Sequence, residues 1–180
     1  MTEVTLKLIL IGDAGTGKTT LAHRYMTGLF KDNKLTLGVQ FHVKKVNITL
    51  DDDPDKVYSV KLQIWDFAGE KRFRFFLPSY CRGAHGGVFL YDITSKESLD
   101  HMGEWTELVY ENAGRIPIML VGAKSDLEEY REVSKDEGIS VAKENELVGF
   151  VETSSKTGEN VEVTFETIAK LMFEAVRKKA

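Results

Sequence analysis

The chain predicts an α/β fold, a three-layer sandwich whose six-stranded, mostly parallel sheet carries one antiparallel edge strand and about five covering helices. Three features predict it. Segments of strand character alternate with segments of helical period. Gly87–Tyr91 and Ile116–Val121 are short, nearly continuous apolar runs, as strands buried on both faces require. Val39–Leu50 and Val57–Asp66 are two strand patterns joined by a short polar stretch, which makes that pair antiparallel. At 180 residues the chain fits a single domain, 1–180, large enough to bury such a core without staples.

Each element follows from its residues. Val4, Leu6, Leu8, Ile9, Leu10 and Ile11 form a buried first strand, and Leu21–Met26 continues a helix that should stop near Gly28. Leu29–Leu37 has no clean period and is expected to be a loop. In Val39–Leu50 the residues Val39, Phe41 and Val43 share one phase, whereas Val46, Ile48 and Leu50 share the other. A period of two then calls for a bulge or sharp twist near Lys44–Lys45. Asp51-Asp52-Asp53-Pro54-Asp55 is expected to be a solvated turn, since Pro and Asp break strands. It lacks the ligand spacing and Gly of a calcium loop.

In the second hairpin strand, Tyr58, Val60, Leu62 and Ile64 share a face. Gly69–Ser79 reads as irregular or weakly helical and is rich in phenylalanine (Phe73, Phe75, Phe76). Ser95 can cap one helix carrying Leu99, Met102, Trp105 and Leu108, with Gly114 past its end. Ser134-Lys135-Asp136-Glu137 is a capping box that opens the next helix. Phe150–Glu152 is a last short strand. Val161, Phe165, Ile168, Ala169, Met172 and Val176 recur at helical spacing, and Arg177-Lys178-Lys179 suit that helix's C-terminus.

Composition excludes several classes. A net charge of −4 argues against a nucleic-acid binder, which would show a basic face. One cysteine, Cys81, rules out an internal disulfide and fits a reducing cytoplasm, where a buried thiol behaves as a small hydrophobe. The histidines His23, His42, His85 and His101 are scattered without metal-ligand spacing. No apolar run approaches the length of a membrane span, and no signal-peptide pattern opens the chain.

The chemistry concentrates where the first strand meets the first helix. Gly12-Asp13-Ala14-Gly15-Thr16-Gly17-Lys18-Thr19 matches G-x-x-x-x-G-K-[ST] in the strand–loop–helix context that pattern needs. Glycines let successive backbone N–H groups turn toward phosphate oxygens, and the helix start adds its positive end. Lys18 supplies a mobile charge for the outer phosphates, and the Thr19 hydroxyl can ligate Mg²⁺. The rest of the site is expected at the carboxyl ends of the other parallel strands. There stand Asp66-Phe67-Ala68-Gly69-Glu70, Ala123-Lys124-Ser125-Asp126 and Thr153-Ser154-Ser155-Lys156. Several such strand ends converging beside a phosphate loop outweigh the plain reading of each as a turn or a helix cap.

These residues resemble the small Ras-like GTPases, a branch of the P-loop NTPases, and the Rab family most closely. The resemblance runs from Lys7 to about Lys178. GDAGTGKT, KLQIWD with AGEKRF, YCRGAHGG, YDIT, GAKSDL and ETSSKTG stand in the family's order, and Leu37-Gly38-Val39-Gln40-Phe41 is similar to the Rab segment after the first switch.

The resemblance implies a GTP/GDP switch that hydrolyses GTP to GDP and phosphate with Mg²⁺. Asp13, Ala14, Gly15, Thr16, Gly17, Lys18, Thr19 and Thr20 would cradle the phosphates. Asp126 would accept from N1 and the N2 amino group of guanine, with Lys124 along the base, Phe30 across its face, Ser155 offering its N–H to O6, and Ser154 and Lys156 alongside. Thr19 and Thr36 would ligate Mg²⁺, and Asp66 would hold it through water. Lys18, Thr36, Gly69 and Glu70 would act on the γ-phosphate and the attacking water, so the flanking loops become two-state elements.

Departures from the family pattern carry expectations. Ala123 stands where the family has Asn or Thr, so one or two bonds to the base or the phosphate loop are lost, worth roughly 1–3 kcal/mol. Glu70 replaces the glutamine that orients water; a carboxylate can accept a proton but, when ionised, cannot donate to the phosphoryl group, so the hydrolysis rate is expected to depend on pH. The interval from Lys18 to Thr36 is one residue shorter than in most Rab proteins, and the loop Asp51–Lys56 is longer. No arginine matches a cis-acting catalytic finger, which implies slow turnover speeded by an activating protein, with an exchange factor releasing the product nucleotide.

Phe41, Trp65 and Tyr80 match the aromatic triad by which Rab proteins present the switch state to effectors, although core packing explains such residues equally well. Phe73, Phe75 and Phe76 favour the interface. Rab proteins carry a tail ending in prenylatable cysteines, whereas this sequence ends after its last helix with no cysteine beyond Cys81. Two readings stand: a lipidated tail that would place the protein peripherally at membranes, or an unlipidated, archaeal-type form in the cytoplasm. The rivals to the switch are a guanine-nucleotide-binding interaction module with little or no hydrolysis, and an ATP-using phosphotransferase, which would have no use for Asp126.

Overall fold

A computed structural model describes residues 3–32 and 36–180. Its sheet is built from β1 (Val4–Ile11), β2 (Val39–Leu50), β3 (Asp53–Phe67), β4 (Gly86–Asp92), β5 (Ile118–Ala123) and β6 (Gly149–Thr153). They lie in the order β2-β3-β1-β4-β5-β6. Among the described residues only β2 runs antiparallel to its neighbour; β1–β3, β1–β4, β4–β5 and β5–β6 are parallel. The helices are α1 (Lys18–Thr27), α2 (Leu77–Cys81), α3 (Lys96–Asp100), α4 (Met102–Ala113), α5 (Lys135–Glu144) and α6 (Val161–Lys179). The predicted class, strand count and antiparallel edge are therefore correct.

Both faces of the central strands are covered, which is why they read as apolar runs. On one side Leu6, Leu8, Leu10, Leu62 and Ile64 pack under Phe165, Ile168 and Met172 of α6 and Leu21 of α1. On the other, Ile9, Ile11, Phe89 and Tyr91 pack under Trp105 and Val109 of α4, with Leu77 and Tyr80 of α2.

Three expectations need correction. No bulge occurs at Lys44–Lys45: the β2–β3 register runs unbroken from Val39↔Phe67 to Thr49↔Val57 and shifts only between Thr49 and Leu50. The change of phase reflects two uses of one regular strand. Val46, Ile48 and Leu50 point into the core, whereas Val39, Phe41 and Val43 stand exposed on the opposite face. The predicted turn at 51–55 shortens to Asp51–Asp52, and Pro54 lies inside β3. It is tolerated because β1 pairs with β3 only from Val60 onward, so no parallel partner needs its missing N–H.

The single helix expected from Ser95 is broken at His101 into α3 and α4. Its start is as expected, the Ser95 hydroxyl accepting from the Ser98 N–H at 3.3 Å, and Gly114 ends α4. Ser134 caps α5 through the Glu137 N–H at 3.1 Å. Residues Lys71–Phe76 form a 3₁₀ segment leading into α2, giving the weakly helical stretch definite form. Leu29 to Asp32 and Thr36 to Gly38 carry no helix or strand, as expected of that loop. The remainder of the first switch path, residues 33–35, lies outside the described residues.

Candidate functional site

The carboxyl ends of β1, β3, β5 and β6 meet at one edge of the sheet, and the expected site residues gather there. Gly12 leaves β1 with φ +138, and a Cβ on it would lie 2.2 Å from the Leu90 carbonyl oxygen. Only glycine lets the chain turn so close to β4. At the end of β3, Gly69 is equally confined: a Cβ there would lie 2.4 Å from the Gly12 oxygen, the Asp13 carbonyl carbon and the Ala14 nitrogen. The turn after β3 thus rests directly on the phosphate loop.

Within that loop the Lys18 ammonium is buried and donates to the carbonyl oxygens of Gly12 at 2.9 Å and Asp13 at 2.8 Å. Burial pulls its pKa down to about 8, against the opposing pull of Asp66 and Asp13. The Thr19 hydroxyl contacts both the Thr36 hydroxyl and the Asp66 carboxylate. Asp66 is fully buried, and its second oxygen, Oδ1, has no hydrogen-bond partner among the described residues. Burial raises the Asp66 pKa, opposed by the Thr19 hydrogen bond and the Lys18 charge. A buried, unsatisfied carboxylate oxygen beside two hydroxyls is a hard, all-oxygen donor set, which suits Mg²⁺. Thr19, Thr36 and Asp66, expected together on the chain's resemblance to its family, are together in space.

Asp13 has side-chain partners of its own outside the loop. Its side chain is committed to the helical layer: Trp105 Nε1 donates to Oδ1 at 2.9 Å, His101 Nδ1 lies 2.5 Å from Oδ2, and Arg74 Nη2 lies 3.4 Å from Oδ1. The guanidinium of Arg74 also stacks 4.6 Å over the Trp105 ring. Asp13 therefore anchors the loop to α4 and, through Arg74, to the 3₁₀ segment Lys71–Phe76. Arg74, His101 and Trp105 were not singled out for this role from sequence, because nothing in their local pattern marks a tertiary hydrogen bond.

A cavity of about 360 Å³ adjoins the phosphate loop, lined by Phe30, Ala123, Lys124, Asp126, Ser155 and Lys156 among others, and it shares Gly17 and Thr20 with the phosphate cleft. Asp126 is exposed on the cavity wall. Its Oδ1 accepts from the buried Ser154 hydroxyl at 2.7 Å, so Ser154 orients the carboxylate from behind. Lys124, in a left-handed backbone conformation (φ +65), sends its ammonium to the Gly15 carbonyl at 2.9 Å and to Asp92 Oδ2 at 2.7 Å. Asp92 belongs to the YDIT stretch, but no role for it was legible in sequence.

Of the aromatic triad, Phe41 meets Trp65 edge-on with centroids 5.3 Å apart, and Trp65 meets Tyr80 at 5.2 Å. Phe41 is 51% exposed and Tyr80 only 5%, so the triad runs from surface to core. Phe75 and Phe76 are exposed beside the partly buried Phe73.

An α/β sheet with a phosphate loop at its first turn and an acidic residue at its fifth strand's end defines a nucleotide-binding switch of the Ras kind. The comparisons agree: residues 7–174 match the model of the Ras family, and the chain belongs to that family. Within it the chain is a Rab-like small GTPase, a hydrolase by class, and a GTP/GDP switch by family. It is 40% identical over 173 residues to the Ras-related protein Rab-19 of Xenopus laevis, covering 93% of this chain and 76% of that one. It is 42% identical to the Ras-related protein Rab-1 of Theileria parva, over 97% of this chain and 77% of that one. With the GTP-binding protein ypt3 of Schizosaccharomyces pombe it shares 41% identity over 99% of this chain and 80% of the relative. Family membership carries guanine-nucleotide binding and the existence of regulators and effectors. Among the described residues, no helix is long and apolar enough to cross a membrane.

Proposed function

We propose that this protein binds GTP and GDP in the joined clefts above β1, β5 and β6 and hydrolyses GTP to GDP and phosphate with Mg²⁺. The observation that carries this reading is the continuity of the two clefts through Gly17 and Thr20, with Asp126 on the far wall of one and Lys18 in the other. A purine seated against Asp126 has its phosphates within the glycine loop. A carboxylate there accepts from two adjacent N–H donors, which guanine has and adenine lacks.

The residues divide the work. Asp126, held by Ser154, selects the base, with Lys124 and Phe30 bounding the ring and Ser155 and Lys156 closing the cavity. The backbone of Asp13 to Thr20 meets the phosphates, and Lys18 moves its ammonium from the loop's own carbonyls onto the outer phosphate oxygens. Thr19 and Thr36, with Asp66 acting through water, would hold Mg²⁺, which offsets charge on the phosphate oxygens during transfer. Gly69 offers its N–H to the γ-phosphate. Glu70 faces the phosphate cleft and accepts a proton from the attacking water. Thr36 and Gly69 bind only when a γ-phosphate is present, so its loss releases both flanking loops. Phe41, Trp65 and the exposed Phe75 and Phe76 form the face that effectors read, while activating and exchange proteins act on the same loops.

The test is the nucleotide released on denaturing the purified protein, followed by GTP-against-ATP competition and a single-turnover phosphate-release assay. Guanosine nucleotide in the supernatant, guanine preference in competition and measurable phosphate release are expected. Adenosine nucleotide, or no preference, would overturn the assignment of Asp126. Guanine binding without phosphate release would leave the interaction module in its place.

A further inference from the structure

We propose that Asp92 is a positioning residue for the guanine nucleotide, bracing the phosphate loop through Lys124 where position 123 has only a methyl group. The proposal rests on the guanine-nucleotide reading given above.

The strand register places Asp92, Ala123 and Thr153 in one row across the carboxyl ends of β4, β5 and β6. In the middle of that row Ala123 is buried and has no polar atom to offer the phosphate loop. On one side the consequence is visible: the Thr153 hydroxyl is buried without a partner among the described residues. On the other side the brace is rebuilt from a different residue. The Lys124 ammonium bridges Gly15 of the phosphate loop, at 2.9 Å, and Asp92 Oδ2, at 2.7 Å. It is the tie between the base-binding turn and the phosphate loop, and a carboxylate with a side chain only 12% exposed holds it in place.

Asp92 divides its two oxygens between separate tasks. Oδ1 accepts from the Thr94 N–H at 2.8 Å and the Thr94 hydroxyl at 2.7 Å, which orders the turn after β4. Oδ2 is left for Lys124. The Ser98 hydroxyl, bonded to the Asp92 backbone N–H at 3.0 Å, fixes the residue from below. An aspartate that served only the turn would need no cation on its second oxygen. Here the charge-assisted bond fixes a long, flexible side chain that otherwise loses much rotamer freedom when it stretches over the loop.

The division of labour gives a clean experiment. Asp92→Asn keeps an acceptor for Thr94 and removes the charge that holds Lys124. Thr94→Val removes the hydroxyl bond of the turn and leaves the Lys124 contact. Release of a fluorescent GDP analogue in Mg²⁺ is measured for wild type, Asp92→Asn, Thr94→Val, Lys124→Met and the Asp92→Asn/Lys124→Met double variant. Asp92→Asn is expected to speed release by about ten-fold or more. The double variant should be no faster than Lys124→Met alone, because both remove one tie. Thr94→Val should stay within about two-fold of wild type. Adding Ala123→Asn to Asp92→Asn should recover part of the loss.

Wild-type release from Asp92→Asn, or effects of Asp92→Asn and Lys124→Met that multiply, would overturn the proposal. So would Thr94→Val matching Asp92→Asn, since the effect would then belong to the turn. Failure of the wild type to bind guanine nucleotide would instead overturn the reading on which the proposal rests.

Discussion

Arg72 lies against Glu70, its Nε 2.7 Å from the carboxylate Oε2. Glu70 lines the phosphate cleft, so Arg72 offsets its negative charge from two residues downstream. Arg72 is largely exposed, which limits the pair to the range of surface ion pairs, about 0–1 kcal/mol. Arg72→Ala is therefore expected to weaken GTP relative to GDP by up to about five-fold, because an uncompensated carboxylate then faces the γ-phosphate. Glu70→Gln in the same background should restore the ratio. Titrating both nucleotides against the three proteins checks this; an unchanged GTP-to-GDP ratio in Arg72→Ala would show that the pair has no bearing on the cleft.

Ala123→Asn is expected to tighten guanine-nucleotide binding. The new amide would sit beside the buried Thr153 hydroxyl, which has no partner among the described residues. It would also regain one or two bonds to the base or the phosphate loop, worth roughly 1–3 kcal/mol. Dissociation rates of bound GDP measure the gain, and a rate equal to wild type would mean that the Lys124 brace already supplies what position 123 lacks.

How far the sequence could be read depends on the kind of signal. The fold class, the strand count and the antiparallel edge were legible because Ile118–Ala123 and Gly86–Asp92 are buried on both faces and their neighbours carry strong periodicity. Thr19 and Asp66 were legible from motif chemistry at the strand ends, whereas Thr36 joined them only through the family resemblance, because residues 29–37 carry no periodic pattern of their own. The β2 phase change was misread for a physical reason: an exposed apolar stripe, Val39–Phe41–Val43, looks like a core face to any pattern based on hydropathy. The ties of Asp13 to His101 and Trp105 and of Lys124 to Asp92 join residues far apart in the chain, and no local spacing encodes them.

Cys81 gives a pH-dependent prediction. The thiol is fully buried, and burial pushes its pKa to about 11 from an ordinary 9.0, partly opposed by Lys7. The folded state therefore disfavours the thiolate relative to the unfolded chain. Its contribution to stability is intact below about pH 9 and falls as pH rises from 9.0 toward 11. Denaturant midpoints measured across that range should decline more steeply for wild type than for Cys81→Ala. A thiol-exchange reagent near neutral pH should modify the folded protein far more slowly than the unfolded one, and equal rates would contradict the burial.

Phe41 and Tyr80 sit at opposite ends of the aromatic chain that passes through Trp65, and their substitutions should separate binding from folding. Phe41 is exposed, so Phe41→Ala is expected to change stability by no more than about 0.5 kcal/mol while weakening capture of an effector by the GTP-loaded protein. Tyr80 is buried against Trp65 and Phe67, and its hydroxyl has no hydrogen-bond partner among the described residues. Removing an unsatisfied buried hydroxyl without changing the ring is neutral or favourable. Tyr80→Phe should therefore leave Tm unchanged or raise it by a few degrees, whereas Tyr80→Ala should cost about 3–5 kcal/mol through the cavity it opens. Thermal melts of the three variants, read beside GDP affinity, decide the matter. A large loss of stability in Phe41→Ala would place that ring in the core and remove it from the effector face.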